Sequence, residues 1–217
     1  MSGQGSDLST RTRTAVLLVL AMVLAMLAGP WTYGAFLILI WAVGAREAIQ
    51  LLRLGWGGPA ILSAALGALV WAMAVLGLAG IGWAGETYSA GLPLGWFILI
   101  WLHDTGAYFA GRRFGRHTLA PSISPGKTWE GWAGGLLASV AVAQLLGLWM
   151  PDEVPWTLLA LVASVLGPVG DLTESALKRR AGVKDSGTLL PGHGGILDRF
   201  DSHIFAAPVA AIVLRLF

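Results

Sequence analysis

The sequence predicts an all-α, polytopic integral membrane protein with about seven transmembrane helices. The chain of 217 residues is 56% hydrophobic and only 12% charged, whereas soluble domains carry about 25% charged residues. Several of its apolar runs approach the roughly 20 residues that cross a bilayer, which disfavours a soluble protein with a very large core. The chain contains no cysteine, which excludes disulfides, cysteine-ligated zinc and a thiolate nucleophile.

The apolar runs and the residues that interrupt them predict where each helix lies. The predicted ranges are 14–29, 31–52, 59–81, 92–109, 132–150, 155–177 and 203–217. Gly29 and Pro30 close the first helix, and the third is rich in alanine and glycine, as close helix packing in lipid favours. The expected organisation is a disordered cytoplasmic tail at 1–13, N-terminal transmembrane helices at 14–91 and a catalytic transmembrane domain at 92–217.

The distribution of lysine and arginine predicts the orientation, since cytoplasmic loops carry an excess of both. With seven spans and a cytoplasmic N-terminus, every basic residue except Arg215 falls in a cytoplasmic segment. The charged residues of the loops on the other side of the membrane are all acidic. Two polar loops, 111–131 and 178–202, therefore face the cytoplasm.

Charged residues, rare in the chain as a whole, concentrate between Gly170 and Ser202. Four polar side chains share one helix face there, at the spacing i, i+3, i+4, i+7: Asp171, Glu174, Ser175 and Lys178. An i, i+4 ion pair can account for Glu174 and Lys178. It does not account for Asp171, which lies deeper in the apolar run, where a carboxylate is tolerated only beside a polar cavity, a partner charge or a metal.

Two further carboxylates, Asp198 and Asp201, lead into the last helix. Carboxylates on either side of a glycine-rich return loop can converge on one cation. Mg²⁺ typically binds one or two protein carboxylates and completes its shell with water and phosphate oxygens. Metal ligation is the first interpretation for Asp198, whereas for Asp201 ligation and an N-cap of the last helix both stay open.

The turn Pro191–Gly195 separates the two acidic sites. Its glycines allow the backbone to approach a ligand and to present N–H groups to an anion, which makes Gly194 and Gly195 candidate substrate contacts. His193 is a candidate for phosphate binding or proton transfer, and an ordinary loop histidine is the alternative.

The loop at 111–131 holds further candidate phosphate contacts. Its S-P-G-K-T stretch lacks the G-x-x-x-x-G-K pattern of a P-loop, and no strand is expected before it, but Lys127 and Thr128 in a Pro/Gly turn can still bind phosphate. The basic cluster at Arg112, Arg113 and Arg116 either contacts substrate or binds anionic lipid headgroups. The candidate substrate-binding residues in and before this loop are Asp104, Tyr108, Arg116, Ser124, Lys127 and Thr128.

Two blocks of sequence carry a family resemblance. The first begins at Asp104, continues with Tyr108 and ends in S-P-G-K-T-W-E-G; the second extends from Ser175 through P-G-H-G-G-I-L-D-R-F-D to Asp201. Together they resemble the signature of the phosphatidate cytidylyltransferases, also called CDP-diacylglycerol synthases, over roughly residues 98–205. The family commonly has a second lysine where this chain has Gly126, and it usually has more than seven spans.

The resemblance implies a reaction, in which a cytidylyl group passes from CTP to phosphatidic acid to give CDP-diacylglycerol and pyrophosphate. It also implies Mg²⁺, held by Asp171, Asp198 and Asp201, and it leaves open a second, monovalent cation such as K⁺. The residues that it marks as catalytic are Asp171, Lys178, Asp185, His193, Asp198 and Arg199. Among the basic residues it marks as contacts to CTP are Lys127, Arg179 and Lys184.

The expected partners are CTP, phosphatidic acid and membrane lipids, with no nucleic acid. Small-residue faces on the second and third predicted helices would permit a homodimer. The expected location is a bacterial-type inner membrane, with the active site facing the cytoplasm. One alternative is a CTP-dependent transferase or kinase acting on another membrane lipid, because the apolar helices choose the acceptor. A transporter is disfavoured, since the polar residues gather on one side of the membrane and no repeat is visible.

Overall fold

The computed structural model describes residues 3–56, 59–150, 154–192 and 194–217. Within these ranges the chain forms eight helices and one two-stranded sheet. In chain order they are α1 (Gly3–Leu27), α2 (Pro30–Trp56), α3 (Ala60–Gly82), α4 (Gly91–Phe114), β1 (Thr118–Ala120), β2 (Ser124–Thr128), α5 (Trp129–Trp149), α6 (Trp156–Arg180), α7 (Leu197–Phe200) and α8 (His203–Leu216).

Four helices of the described chain are long and apolar enough to cross a membrane. They are Pro30–Gly55 in α2, Ile61–Gly82 in α3, Trp129–Trp149 and Trp156–Arg180. Shorter apolar segments lie in α1 and α8, and α4 interrupts its apolar surface with His103, Asp104 and two arginines. The helical membrane character expected from composition agrees with the structure, but the expected count of seven spans is not confirmed.

The structure corrects two expectations about residues outside the long helices. Helix α1 begins at Gly3, inside the tail that was expected to be disordered. The protein is also not purely α-helical, because β1 and β2 form an antiparallel hairpin in which Thr118 faces Thr128 and Ala120 faces Ser124. Threonine, present at Thr118 and Thr128, suits extended backbone, and the short turn at 121–123 returns the chain.

Glu130, in the first turn of α5, ties the hairpin to the helices. Its Oε2 accepts the backbone N–H groups of Arg116 and His117 at 3.0 and 3.2 Å. Its Oε1 lies 2.6 Å from Nδ1 of His117. The Thr128 hydroxyl accepts the N–H of Gly131 at 3.1 Å and so caps the start of α5. The hairpin is therefore held against the N-terminal end of α5, and Lys127 lies on its second strand.

The segment after α6 also differs from the expected loop, because it contains the short helix α7. The N-cap residue of α8 is Ser202, without a side-chain cap hydrogen bond, so the interpretation of Asp201 as the N-cap is wrong. Helix α8 packs closely on α3, since a Cβ atom at Gly77 would overlap the backbone of Pro208. This contact joins the N-terminal helices to the part of the chain that carries the polar residues.

Candidate active site

A cavity of about 390 Å³ lies where α4, β2, α6 and α7 meet. Residues of both sequence blocks line it. The predicted site residues among them are Asp104, Tyr108, Lys127, Thr128, Asp171, Asp198, Arg199 and Asp201. The fold thus brings the two blocks together around one volume, as the sequence led us to expect. Gly126 lines the same cavity, and no atom lies within 4 Å of the position of a Cβ there.

Lys127 and Asp171 connect the hairpin to α6. The Lys127 ammonium forms an ion pair with Oδ2 of Asp171, and the Ser175 hydroxyl donates to Oδ1 at 3.2 Å. The side chains of the pair are 31% and 29% exposed, so both remain accessible from the cavity. This ion pair supplies the partner charge that local helix spacing did not supply for Asp171.

Lys178 lies between two buried carboxylates, behind the cavity wall. Its Nζ is 2.8 Å from Oε2 of Glu174 and 2.6 Å from Oδ1 of Asp198. The three side chains are 10%, 0% and 4% exposed, in that order. The i, i+4 ion pair expected from the sequence is confirmed, and the same ammonium also binds the second acidic site.

Asp198 is fixed by hydrogen bonds to both of its oxygens. Its Oδ2 accepts the backbone N–H and the hydroxyl of Ser186 at 2.8 and 2.9 Å and the N–H of Gly195 at 2.8 Å. Burial raises the pKa of the carboxyl group, but the hydrogen bonds from the ammonium of Lys178 and from the backbone outweigh this effect and lower the pKa of Asp198 overall. The group is therefore an ionised carboxylate in a set orientation.

Asp201 occupies a different electrostatic environment. Burial, together with the negative charge of Asp171, raises the pKa of Asp201 to about 7. Its Oδ1 accepts the N–H of Ser202 at 2.7 Å. Asp171 and Asp201 line the same cavity, and a cation placed there would favour the ionised form of both carboxyl groups.

The donor chemistry of the cavity suits a hard divalent cation, since carboxylate oxygens are the ligands that Mg²⁺ prefers. In the described part of the chain, no group of three or more histidine and carboxylate side chains is already arranged to hold a metal. Mg²⁺ typically needs only one or two protein carboxylates, and Asp171, Asp198 and Asp201 all line the cavity. Because both oxygens of Asp198 already accept hydrogen bonds, its part in the three-carboxylate site stays a prediction.

Other predicted site residues lie outside the lining of this cavity. Lys184 and Asp185 are exposed, and Nη1 of Arg179 donates to the carbonyl oxygen of Val183 at 3.4 Å. Arg116 and Ser124 belong to the hairpin region, away from the cavity, and Gly194 and Gly195 support Asp198 from behind it. His193, predicted to be catalytic, lies outside the described residues.

Sequence reasoning missed Glu47, which lies near the end of the second predicted helix, 31–52. Glu47 is 7% exposed, and its carboxylate accepts hydrogen bonds from Ser186, Ile196 and Leu197. The only available signal was a single carboxylate inside an apolar helix. Nothing in the sequence indicates a partner about 150 positions away.

A second cavity, of about 260 Å³, lies beside the first between α1 and α4. It shares Asp104, Asp198 and Asp201 with the larger cavity, and apolar side chains such as Leu18 and Phe97 line the rest. Both cavities thus combine polar and apolar lining residues and meet at shared carboxylates, an arrangement that can accept an amphiphilic ligand.

Comparison with known proteins gives the family. Residues 82–217 match the model of the cytidylyltransferase family. The chain belongs to that family. One relative is the phosphatidate cytidylyltransferase of Staphylococcus saprophyticus. It is 50% identical to this chain over 134 residues, which cover 59% of this chain and 52% of the relative.

Two further relatives carry the same name. The phosphatidate cytidylyltransferase of Staphylococcus epidermidis is 51% identical over 134 residues, covering 59% of this chain and 52% of the relative. The phosphatidate cytidylyltransferase of Bacillus subtilis is 50% identical over 123 residues, which cover 55% of this chain and 46% of the relative. The chain spans about half the length of the curated relatives it matches. Both blocks that line the cavity lie within the segment that matches the family.

Proposed function

We propose that this protein transfers a cytidylyl group from CTP to phosphatidic acid, forming CDP-diacylglycerol and pyrophosphate. The observation that carries the proposal is the 390 Å³ cavity, which Lys127 of the first sequence block lines together with Asp171 and with Asp198 and Arg199 of the second block. The names of the relatives supply the acceptor lipid and the nucleotide.

The proposed reaction is an in-line displacement at the α-phosphorus of CTP. A phosphate oxygen of phosphatidic acid forms the new O–P bond, the bond between the α-phosphorus and the bridging oxygen breaks, and pyrophosphate leaves with the electron pair. The nucleophile is already anionic, so no general base is assigned. The main demand on the protein is to hold two polyanions together and to offset charge on the leaving group.

The residues of the cavity suit that demand. Lys127 and Arg199 place positive charge where the triphosphate would bind, and Lys178 keeps Asp198 in position from behind. Asp171 and Asp201 are the carboxylates that would hold Mg²⁺. When bound, the ion would neutralise phosphate charge and align the reacting groups.

The lipid is proposed to enter from the apolar side of the second cavity. Its phosphate would then reach the carboxylates that both cavities share, while its acyl chains remain beside Leu18 and Phe97. The distribution of basic residues supports a cytoplasmic N-terminus and a cytoplasmic active site in a bacterial-type inner membrane. A homodimer is part of the same proposal, through surfaces other than Gly67 and Gly77, which pack on α2 and α8 of the same chain.

The direct test is an assay of purified protein in detergent with phosphatidic acid, CTP and Mg²⁺. CDP-diacylglycerol and pyrophosphate should form in equal amounts, and removal of Mg²⁺ with a chelator should stop the reaction until the metal is restored. Asp171→Asn should lower kcat/KM by about 100-fold or more, because it removes a carboxylate that would hold the Mg²⁺ needed to offset phosphate charge in the transition state.

Glu86→Gln is the matched control, since Glu86 is exposed in the loop after α3 and outside both cavities. Full activity of Asp171→Asn would contradict the assignment of the site. Phosphorylation of a lipid, or transfer to another lipid phosphate in preference to phosphatidic acid, would replace the proposed function with a sister activity.

A further inference from the structure

Glu47 is a buried carboxylate whose described partners are neutral groups of the distant polar loop. It lies on α2 and is 7% exposed. Its Oε2 accepts the hydroxyl of Ser186 at 3.0 Å and the N–H of Leu197 at 2.8 Å, and its Oε1 accepts the N–H of Ile196 at 3.2 Å. A buried carboxylate is costly unless hydrogen bonds satisfy it, and here the loop provides them.

The loop backbone closes tightly around this carboxylate. A Cβ atom at Gly187 would overlap Oε1 of Glu47, and a Cβ atom at Gly195 would overlap its Oε2. Glycine at both positions therefore allows the backbone to approach the carboxylate from two directions. This is a fitted site for one side chain rather than a chance contact of an exposed loop.

The same contacts lead directly to Asp198. The Ser186 hydroxyl lies 3.0 Å from Glu47 and 2.9 Å from Oδ2 of Asp198, within hydrogen-bond distance of both carboxylates. Gly195, which packs on Glu47, donates its N–H to Oδ2 of Asp198 at 2.8 Å. Every described donor to that oxygen thus belongs to a residue that also touches Glu47.

We propose that Glu47 is a positioning residue, which holds Ser186 and the backbone at 195–197 so that Asp198 and Arg199 face the cavity. It acts through Ser186 and through the backbone at Gly195–Leu197, without reaching the cavity lining itself. The expected loss of kcat rests on the proposed function. The expected loosening of the loop around Ile196 and Leu197 does not. Through Glu47, α2, which lies outside the segment 82–217 that matches the family, has a direct part in the site.

The first test compares Glu47→Gln with the matched control Glu86→Gln in the cytidylyl transfer assay. The substitution keeps the shape of the side chain but replaces one acceptor oxygen with an NH₂ donor, which opposes the donors of the loop. We expect kcat to fall by about 10- to 100-fold, as for other outer-shell partners. KM for CTP should rise as well, because Arg199, which Glu47 is proposed to hold in place, is one of the cationic groups placed to bind the triphosphate.

Ser186→Ala provides a second, milder variant, which removes only the hydroxyl between the two carboxylates. If Glu47 acts through Ser186, the loss of kcat in the double variant should be close to that of Glu47→Gln alone rather than the product of the two single losses. Independent, multiplicative losses would overturn the proposed route of action.

Hydrogen exchange gives a readout that does not depend on activity. In Glu47→Gln the amides of Ile196 and Leu197 should exchange faster than in wild type, while the amides of the hairpin and those of Glu86→Gln should not change. Unchanged exchange at Ile196 and Leu197 would overturn the inference. So would faster exchange with kcat equal to that of wild type per folded molecule, since Glu47 would then be merely structural.

The two proposals can fail separately. If wild type and Glu86→Gln both lack cytidylyl transfer, the proposed function fails, and the exchange data still decide whether Glu47 holds the loop. If both are active and Glu47→Gln is equally active, the proposed function stands and the positioning role is excluded.

Discussion

At the scale of single residues, the least replaceable charge in the site is that of Lys178. One ammonium balances two carboxylates, Glu174 and Asp198, at 2.8 and 2.6 Å in a nearly dry environment. Oε1 of Glu174 has no hydrogen-bond partner among the described residues. The cluster therefore depends on Lys178 for both its charge balance and its geometry.

Replacing Lys178 with methionine should destabilise the protein strongly. Methionine fills a similar volume but leaves two buried carboxylates unpaired, and breaking a buried ion pair costs about 3–5 kcal/mol. Thermal unfolding in detergent should show a lower Tm for Lys178→Met than for wild type. Arg180→Met, at an exposed position of the same helix, should unfold close to wild type, and equal Tm values for the two variants would contradict the interpretation.

At the scale of elements, a small set of polar contacts attaches the hairpin β1–β2 to the helices of the site. The hairpin reaches the helices through Glu130, which binds the backbone of Arg116 and His117, and through the ion pair between Lys127 and Asp171. Since Lys127 lies on β2, the position of the hairpin sets the position of one cationic group in the cavity.

Replacing Glu130 with alanine should release the hairpin without unfolding the helices. We expect faster tryptic cleavage after Arg116 and a higher KM for CTP, because Lys127 would be held less firmly. Limited proteolysis followed by mass spectrometry measures the first effect. Glu86→Ala serves as the control, and a cleavage rate after Arg116 equal to that of wild type would show that Glu130 does not secure the hairpin.

At the scale of the whole molecule, the membrane orientation can be mapped directly because the chain contains no cysteine. Single cysteines at Ser122, in the hairpin turn, and at Thr87, in the loop between α3 and α4, introduce unique labels at exposed positions. A membrane-impermeant maleimide should label Ser122→Cys only from the cytoplasmic side and Thr87→Cys only from the opposite side. Labelling of both from one side would contradict the proposed topology.

The sequence revealed the chemistry of the site more completely than its architecture. Asp171, Lys127 and Asp198 were recognised because charged groups in an oily chain have few explanations other than function. Local spacing also identified the pair of Glu174 and Lys178. The ion pair between Lys127 and Asp171 was not predictable, because it joins positions 44 apart. It also depends on the hairpin, whose sequence has the composition of a loop.

Glu47 was missed for the same physical reason. Periodicity reports which residues share a face of their own helix, but the partners of Glu47 belong to a loop distant in sequence, and tertiary contacts of this kind leave no periodic trace. The start of α1 was misjudged because small polar residues are neutral evidence, compatible with either a helix or a disordered segment.

The packing of α8 on α3, where Gly77 admits the backbone of Pro208, has a consequence for biosynthesis. The ribosome completes α3 long before it makes α8. The face of α3 around Gly77 therefore lacks its contact with Pro208 until α8 has been made. The residues at 198–203 include the end of α7 and the start of α8. They cannot reach their final positions until α8 packs on α3. The cavity that α7 helps to line should therefore reach its final form only after α8 has been inserted and has packed on α3.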